Sequence, residues 1–167
     1  MKRCLSIIDN ISEWSGRVFS FLMLPMIAVM VYDTIARYAF NAPTNWAYET
    51  VTFLFAGFGI MGGAYVLLHD GHVRMDIIWS RLSPRGKAIM DLVTSFFFFL
   101  FCGVLLWKGA GYAWESLRLR ETTTSAFAPP QYVVKMTIPL GALFIILQGI
   151  AKFIRDLSIA ITGRELE

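Results

Sequence analysis

The stretch Val18-Phe19-Ser20-Phe21-Leu22-Met23-Leu24-Pro25-Met26-Ile27-Ala28-Val29-Met30-Val31-Tyr32 carries no charged side chain. With its flanks it defines an apolar segment over 17–38. A helix rises about 1.5 Å per residue, so about 20 residues cross a hydrocarbon core about 30 Å thick. Three more segments of that kind follow, over 48–68, 87–107 and 132–152. Glu49 opens the second, Asp91 lies in the first turn of the third, and Lys135 lies in the first turn of the fourth, with Gln148 near its end. Hydrocarbon offers no partner for unpaired backbone groups, so each segment must be helical. Alternating segments of about ten residues, the mark of a membrane barrel, are not seen. The pattern predicts an all-α integral membrane protein with four transmembrane helices in a single membrane domain over 1–167.

Composition agrees. Of 167 residues, 56% are hydrophobic and 16% charged, against about 25% charged in soluble domains. The net charge of +3 is small and its basic residues are dispersed, which argues against nucleic acid and for membrane phospholipids. Asp9 and Glu13 break the early apolar region too soon for a signal peptide. Cys4 and Cys102 fall at different expected depths, so no disulfide is predicted.

Lysine and arginine placement predicts orientation. Lys2, Arg3, Arg17, Arg74, Arg81, Arg85, Lys87, Lys152, Arg155 and Arg164 fall on one side; Arg37, Lys108, Arg118, Arg120 and Lys135 fall on the other. That bias puts both termini and the middle loop in the cytoplasm. Two stretches read as amphipathic helices lying at the interface, the alternative for the first being that it simply extends helix one. In the leader, 1–16, Ile7, Ile11 and Trp14, followed by Val18, share one face, while Asp9, Glu13 and Arg17 share another. Over 72–84, Met75, Ile78, Trp79 and Leu82 oppose Arg74 and Arg81. Helix three is expected to continue outward through Trp114. The segment 122–130 is expected to be extended and ordered only by packing.

Several chemistries are excluded. His69 and His72 lie at the end of helix two and in the loop after it, so no haem ligand sits within a span. There is no Cys-x-x-Cys pair, phosphate loop or Ser/His/Asp arrangement. No catalytic residue, cofactor site or metal site is predicted. A charge at a helix centre costs about 2.5 to 3.5 kcal/mol on insertion scales, and here the middle of each span is apolar. The chain therefore lacks an evident solute path of its own.

Three constellations remain. Asp33, Arg37, Glu49 and Lys135 gather near the outer boundary as candidates for an interhelical clamp, with Glu49 reaching Lys135, or for a docking surface. Thr52, Ala56, Gly59 and Gly63 form a small-residue stripe suited to close helix packing. The run Phe96 to Phe99, with Phe101, points all round its helix, so some rings must face lipid or a partner.

The residues Arg37-Tyr38-Ala39-Phe40-Asn41-Ala42-Pro43-Thr44-Asn45-Trp46-Ala47-Tyr48-Glu49, then Gly62-Gly63-Ala64-Tyr65 with His72-Val73-Arg74-Met75-Asp76, then Pro129-Pro130 with Ile138-Pro139-Leu140-Gly141, come in an order that resembles the small membrane subunit (DctQ type) of tripartite ATP-independent periplasmic (TRAP) transporters. The resemblance implies a scaffold subunit in a bacterial inner membrane. Its partners would be a large transport subunit (DctM type), which couples sodium to uptake of an organic anion such as a carboxylate, and a periplasmic binding protein (DctP type). On this reading Arg37, Asn41, Trp46, Glu49 and the segment from Lys108 to Gln131 serve docking, while His72, Arg74, Asp76 and Trp79 make contacts on the cytoplasmic side. The competing reading is a four-span anchor or assembly subunit of a respiratory complex; a self-sufficient dimeric exporter is a further alternative.

Overall fold

The computed structural model describes residues 2–69, Gly71 and 84–162. Among these residues five helices follow in order: α1 (Lys2–Ser20), α2 (Met23–Ala39), α3 (Ala47–Leu68), α4 (Pro84–Arg118) and α5 (Gln131–Thr162). No strand is found among the described residues. Four helical stretches are long and apolar enough to span a membrane, α1 and α2 together forming the first. The expected surface helix over 72–84 lies, up to residue 83, outside the described residues, as do its candidate contacts His72, Arg74, Asp76 and Trp79.

The break between α1 and α2 falls at Phe21 and Leu22, inside the first expected span. Pro25 has no N–H to give the Phe21 carbonyl, and its ring crowds that carbonyl. Leu24 N–H donates to it instead, at 3.2 Å, and Phe21 and Leu22 themselves bond back three residues to Val18 and Phe19. The next turn is closed at Asn41, whose left-handed φ of 50° asparagine tolerates better than most residues. Ala42 N–H then reaches the Ala36 carbonyl at 3.0 Å, covering an orphan carbonyl at the end of α2.

The spanning helices stand in a row. α2 packs on α3, α3 on α5 and α5 on α4, and no substantial packing joins α2 to α4 or α5. Glycines set the closest approaches. A methyl group on Gly141 of α5 would meet the Ile60 carbonyl oxygen of α3 at 2.8 Å, and one on Gly63 would meet Ile145 at 2.7 Å. Further round α5, Gly149 is filled by Phe98, and Gly109 of α4 is filled by Ile138. Small residues let helix backbones approach where lipid supplies no hydrophobic drive. The pairings run 98 to 149 and 109 to 138, so α4 and α5 are antiparallel. By the same reasoning α3 and α5 are parallel.

α1 crosses one face of this row. Its Gly16 receives the Tyr65 ring, Glu13 meets His69, and Leu22 beyond it touches the Gly57 position. α1 thus runs antiparallel to α3. Its polar side faces inward, with Ser12 and Ser15 buried, while Ile7, Ile11, Trp14 and Val18 are exposed. The amphipathic leader is mounted with its apolar face outward.

Candidate functional site

Polar side chains gather at the two ends of the row. At the α1 end, Gln148 of α5 is 1% exposed. It accepts the Ser12 hydroxyl at 2.8 Å and donates to the Asp9 carboxylate at 3.1 Å. Arg155, two turns further along α5, donates to the same carboxylate. Next to this latch, Glu13 holds Arg17 at 2.7 Å and His69 at 2.8 Å. The His69 ring leans on Tyr65, with centroids 4.4 Å apart. Lys152 ties α5 to Asp91 of α4 at 3.1 Å. Each partner sits where a helix leaves the apolar zone, so the charges are matched without entering the centre of the row.

At the opposite end, Asp33 accepts Arg37 at 2.9 Å, the Thr44 N–H at 3.2 Å and the Thr44 hydroxyl. One carboxylate therefore pins the first outer loop back onto α2. Trp46 packs its ring against Tyr32, with centroids 5.9 Å apart. Asn41, by contrast, is exposed in the turn.

The expected contact between Glu49 and Lys135 is replaced by two contacts through the second outer loop. Lys135 pairs with Glu121 at 2.5 Å and lies 4.8 Å over the Tyr112 ring. Glu49 accepts the Thr123 hydroxyl at 3.4 Å. The cause is the loop itself, which comes between the ends of α3 and α5. Glu121 N–H reaches the Ser116 carbonyl, Gln131 N–H reaches the Glu121 carbonyl at 2.9 Å, and Thr123 N–H reaches the Pro129 carbonyl at 3.1 Å. Thr122 and Pro130 form an antiparallel bridge. The 122–130 segment, expected to be ordered only by packing, is thus also closed by its own backbone bonds. Lys135 beside Glu121 holds that carboxyl below the ordinary carboxylate range, and the Ser116 hydroxyl adds to the effect against the opposing push of burial. That hydroxyl is buried and makes no hydrogen bond of standard geometry among the described residues.

The small-residue stripe divides. Gly63 packs on α5, Ala56 is half-buried, Thr52 is exposed and bonds the Tyr48 carbonyl at 2.8 Å, and a methyl on Gly59 would touch nothing within 4 Å. The phenylalanine run also divides: Phe98 and Phe99 pack on α5, while Phe96, Phe97 and Phe101 are exposed. Sequence reasoning singled out neither the latch of Asp9, Ser12, Gln148 and Arg155 nor the role of Glu121. The available signal was Gly141, Gln148, Gly149 and Lys152 at helical spacing, which marks one packed and partly polar face. No group of three metal-ligating side chains gathers among the described residues.

Apolar helices in a row, with ionic contacts confined to both ends, define a multi-pass helical membrane protein built for packing. The family is identified by comparison. The chain belongs to the DctQ component family of tripartite ATP-independent periplasmic transporters, whose family model matches residues 26–158. It is 24% identical over 155 residues to the ectoine TRAP transporter small permease protein TeaB of Halomonas elongata, covering 92% of this chain and 80% of that one. It is 22% identical over 85 residues to a TRAP transporter small permease protein of Haemophilus influenzae, covering 50% of this chain and 53% of that protein. The chain is thus a small permease subunit of a TRAP transporter, a transporter component and not an enzyme, in a bacterial inner membrane.

Proposed function

We propose that this subunit is the fixed scaffold of a sodium-coupled importer of an organic anion, such as a carboxylate. A periplasmic binding protein delivers the anion, and a large membrane subunit carries it together with sodium. The observation that supports this best is the family match over 26–158 in a chain whose charged contacts lie at the ends of its spans. Such a chain holds a partner in the bilayer and leaves the path to another subunit.

The orientation that suits this role has α1, the end of α5 and the connection after α3 in the cytoplasm, in keeping with the lysine and arginine bias. The two pinned loops then face the periplasm. Asp33 and Glu121 hold those loops in fixed shapes, which lowers the ordering cost of docking a binding protein. The outward apolar face of α1 suits contact with the acyl chains of the cytoplasmic leaflet.

Uptake in proteoliposomes tests the reading. Transport should require this chain, its large subunit, a cognate binding protein and an inward sodium gradient together. Uptake by the large subunit and binding protein at an unchanged rate without this chain would overturn the scaffold role. Uptake indifferent to sodium would overturn the coupling.

A further inference from the structure

An apolar groove of about 710 Å³ runs beneath the outward face of α1. Ile7, Ile11, Trp14 and Val18 wall it, and Met61 of α3 and Phe144 of α5 contribute from the row. Asn10 and Ser15 are its polar lining residues. The groove belongs to no contact described above.

Its length and depth identify an occupant. From Ile7 to Val18, α1 advances about 16 Å. One leaflet of a hydrocarbon core is about 15 Å deep. A partner helix crossing the bilayer needs about twice that length of groove. Asp9, which pairs with Arg155, lies within one turn of Ile7, so the Ile7 end opens at the rim. Helical spacing puts Arg3 on the same face as Ile7, Asn10 and Trp14, one turn further toward the headgroups. Arg3, Asn10 and Trp14 are all exposed, Trp14 at 71%. A cation one turn beyond the Ile7 end, with an amide and an indole on the exposed edge of an apolar groove, matches an anionic headgroup above an acyl chain.

We propose that this groove binds an anionic phospholipid from the leaflet on the α1 side. One acyl chain lies along α1 over Met61 and Phe144, and the phosphate sits at Arg3. The bound lipid fills the space between α1 and the row, and so completes the seating of the leader. This inference needs only that the chain spans a membrane, and it stands apart from the scaffold proposal.

The test uses the full chain in nanodiscs of phosphatidylcholine, with Trp46, Trp79, Trp107 and Trp114 replaced by Phe so that Trp14 alone reports. Acyl-brominated phosphatidylglycerol should quench Trp14 at about one-fifth the mole fraction that brominated phosphatidylcholine needs, the factor one basic residue contributes at an anionic surface. Arg3→Glu should abolish that preference and leave quenching by phosphatidylcholine in place. Equal quenching by both lipids in the unaltered-Arg3 protein would overturn the proposal in favour of bulk lipid. Native mass spectrometry of the wild-type chain from mixed nanodiscs gives a reading free of the tryptophan replacements. One phosphatidylglycerol should remain bound at energies that strip phosphatidylcholine. Equal loss of both would overturn it. So would a complex with the large subunit in which Trp14 is shielded from both lipids, because a protein segment then fills the groove.

Discussion

Ser12 on α1 donates its hydroxyl to the side-chain oxygen of Gln148 on α5 at 2.8 Å, joining residues 136 positions apart. The same amide donates to Asp9. A leader that sequence pattern alone leaves free to lie anywhere on the membrane surface is thereby fixed to one place on the row. Its polar side is spent on the protein, so its apolar side is what the surroundings meet.

Gln148→Leu tests that latch. Leucine keeps much of the volume but neither hydrogen bond. Interhelical hydrogen bonds in membrane proteins average about 0.6 kcal/mol, so losing both should lower stability by about 1 kcal/mol. Thermal unfolding in detergent reads the loss. Hydrogen exchange should rise in α1 while the outer half of α4 stays protected. Unchanged exchange in α1 would show that Gln148 does not hold it.

The ion pair of Asp9 with Arg155 gives a second, independent handle. Asp9→Arg alone sets two cations together, and Arg155→Asp alone sets two carboxylates together. Each should destabilise the docked α1. The double exchange should recover much of the loss, since it restores the pair with reversed sign. Additive losses would show that the two residues act separately. Gln148 favours the original arrangement because its amide N–H donates to Asp9, so recovery should stop short of wild type.

The spans were legible because hydrophobic length is a one-dimensional property. The match of 48–68 to α3 (Ala47–Leu68) shows how closely it can serve. Contacts between helices were not legible in the same way. Glu49 and Lys135 look like partners when only the helix ends are considered, yet Glu121 lies between them in sequence and takes the lysine. Predicting that required the backbone path of a loop with left-handed residues at Arg120 and Ala128. Glycine spacing on α3 was visible, but which neighbour each glycine faces depends on the order of helices in the row. Gly63 faces α5, whereas a methyl on Gly59 would touch nothing within 4 Å.

That difference makes a clean comparison. Gly141→Ala forces a methyl against the Ile60 backbone, 2.8 Å from its carbonyl oxygen. Backbone cannot swing aside, so α3 and α5 must separate, at about 1–3 kcal/mol for overpacking. Gly59→Ala puts the same methyl into open space and should change the stability of the isolated chain by less than about 0.5 kcal/mol. Melting both variants in one detergent decides it. If Gly141→Ala melts no lower than Gly59→Ala, the α3 to α5 contact does not depend on the missing methyl at Gly141, since the gain in helix propensity is common to both.

Glu121 supplies a pH dependence with a definite sign. Its folded pKa is depressed, first by Lys135 and then by Ser116. An unperturbed glutamate titrates near about 4.3. The stabilisation is therefore fully present above that value and is lost as the pH falls through the lower folded pKa. Glu121→Gln removes the charge but keeps the shape, so it should melt below wild type at pH 7. The gap between the two proteins should stay constant down to about pH 5 and close on further acidification, because wild type then loses what the variant never had. Melting curves of both proteins from pH 7 to pH 3 measure it. A gap that persists unchanged at pH 3 would mean that Lys135 is held by something other than the Glu121 charge. The Tyr112 ring, 4.8 Å beneath its ammonium, would then be the partner to test next.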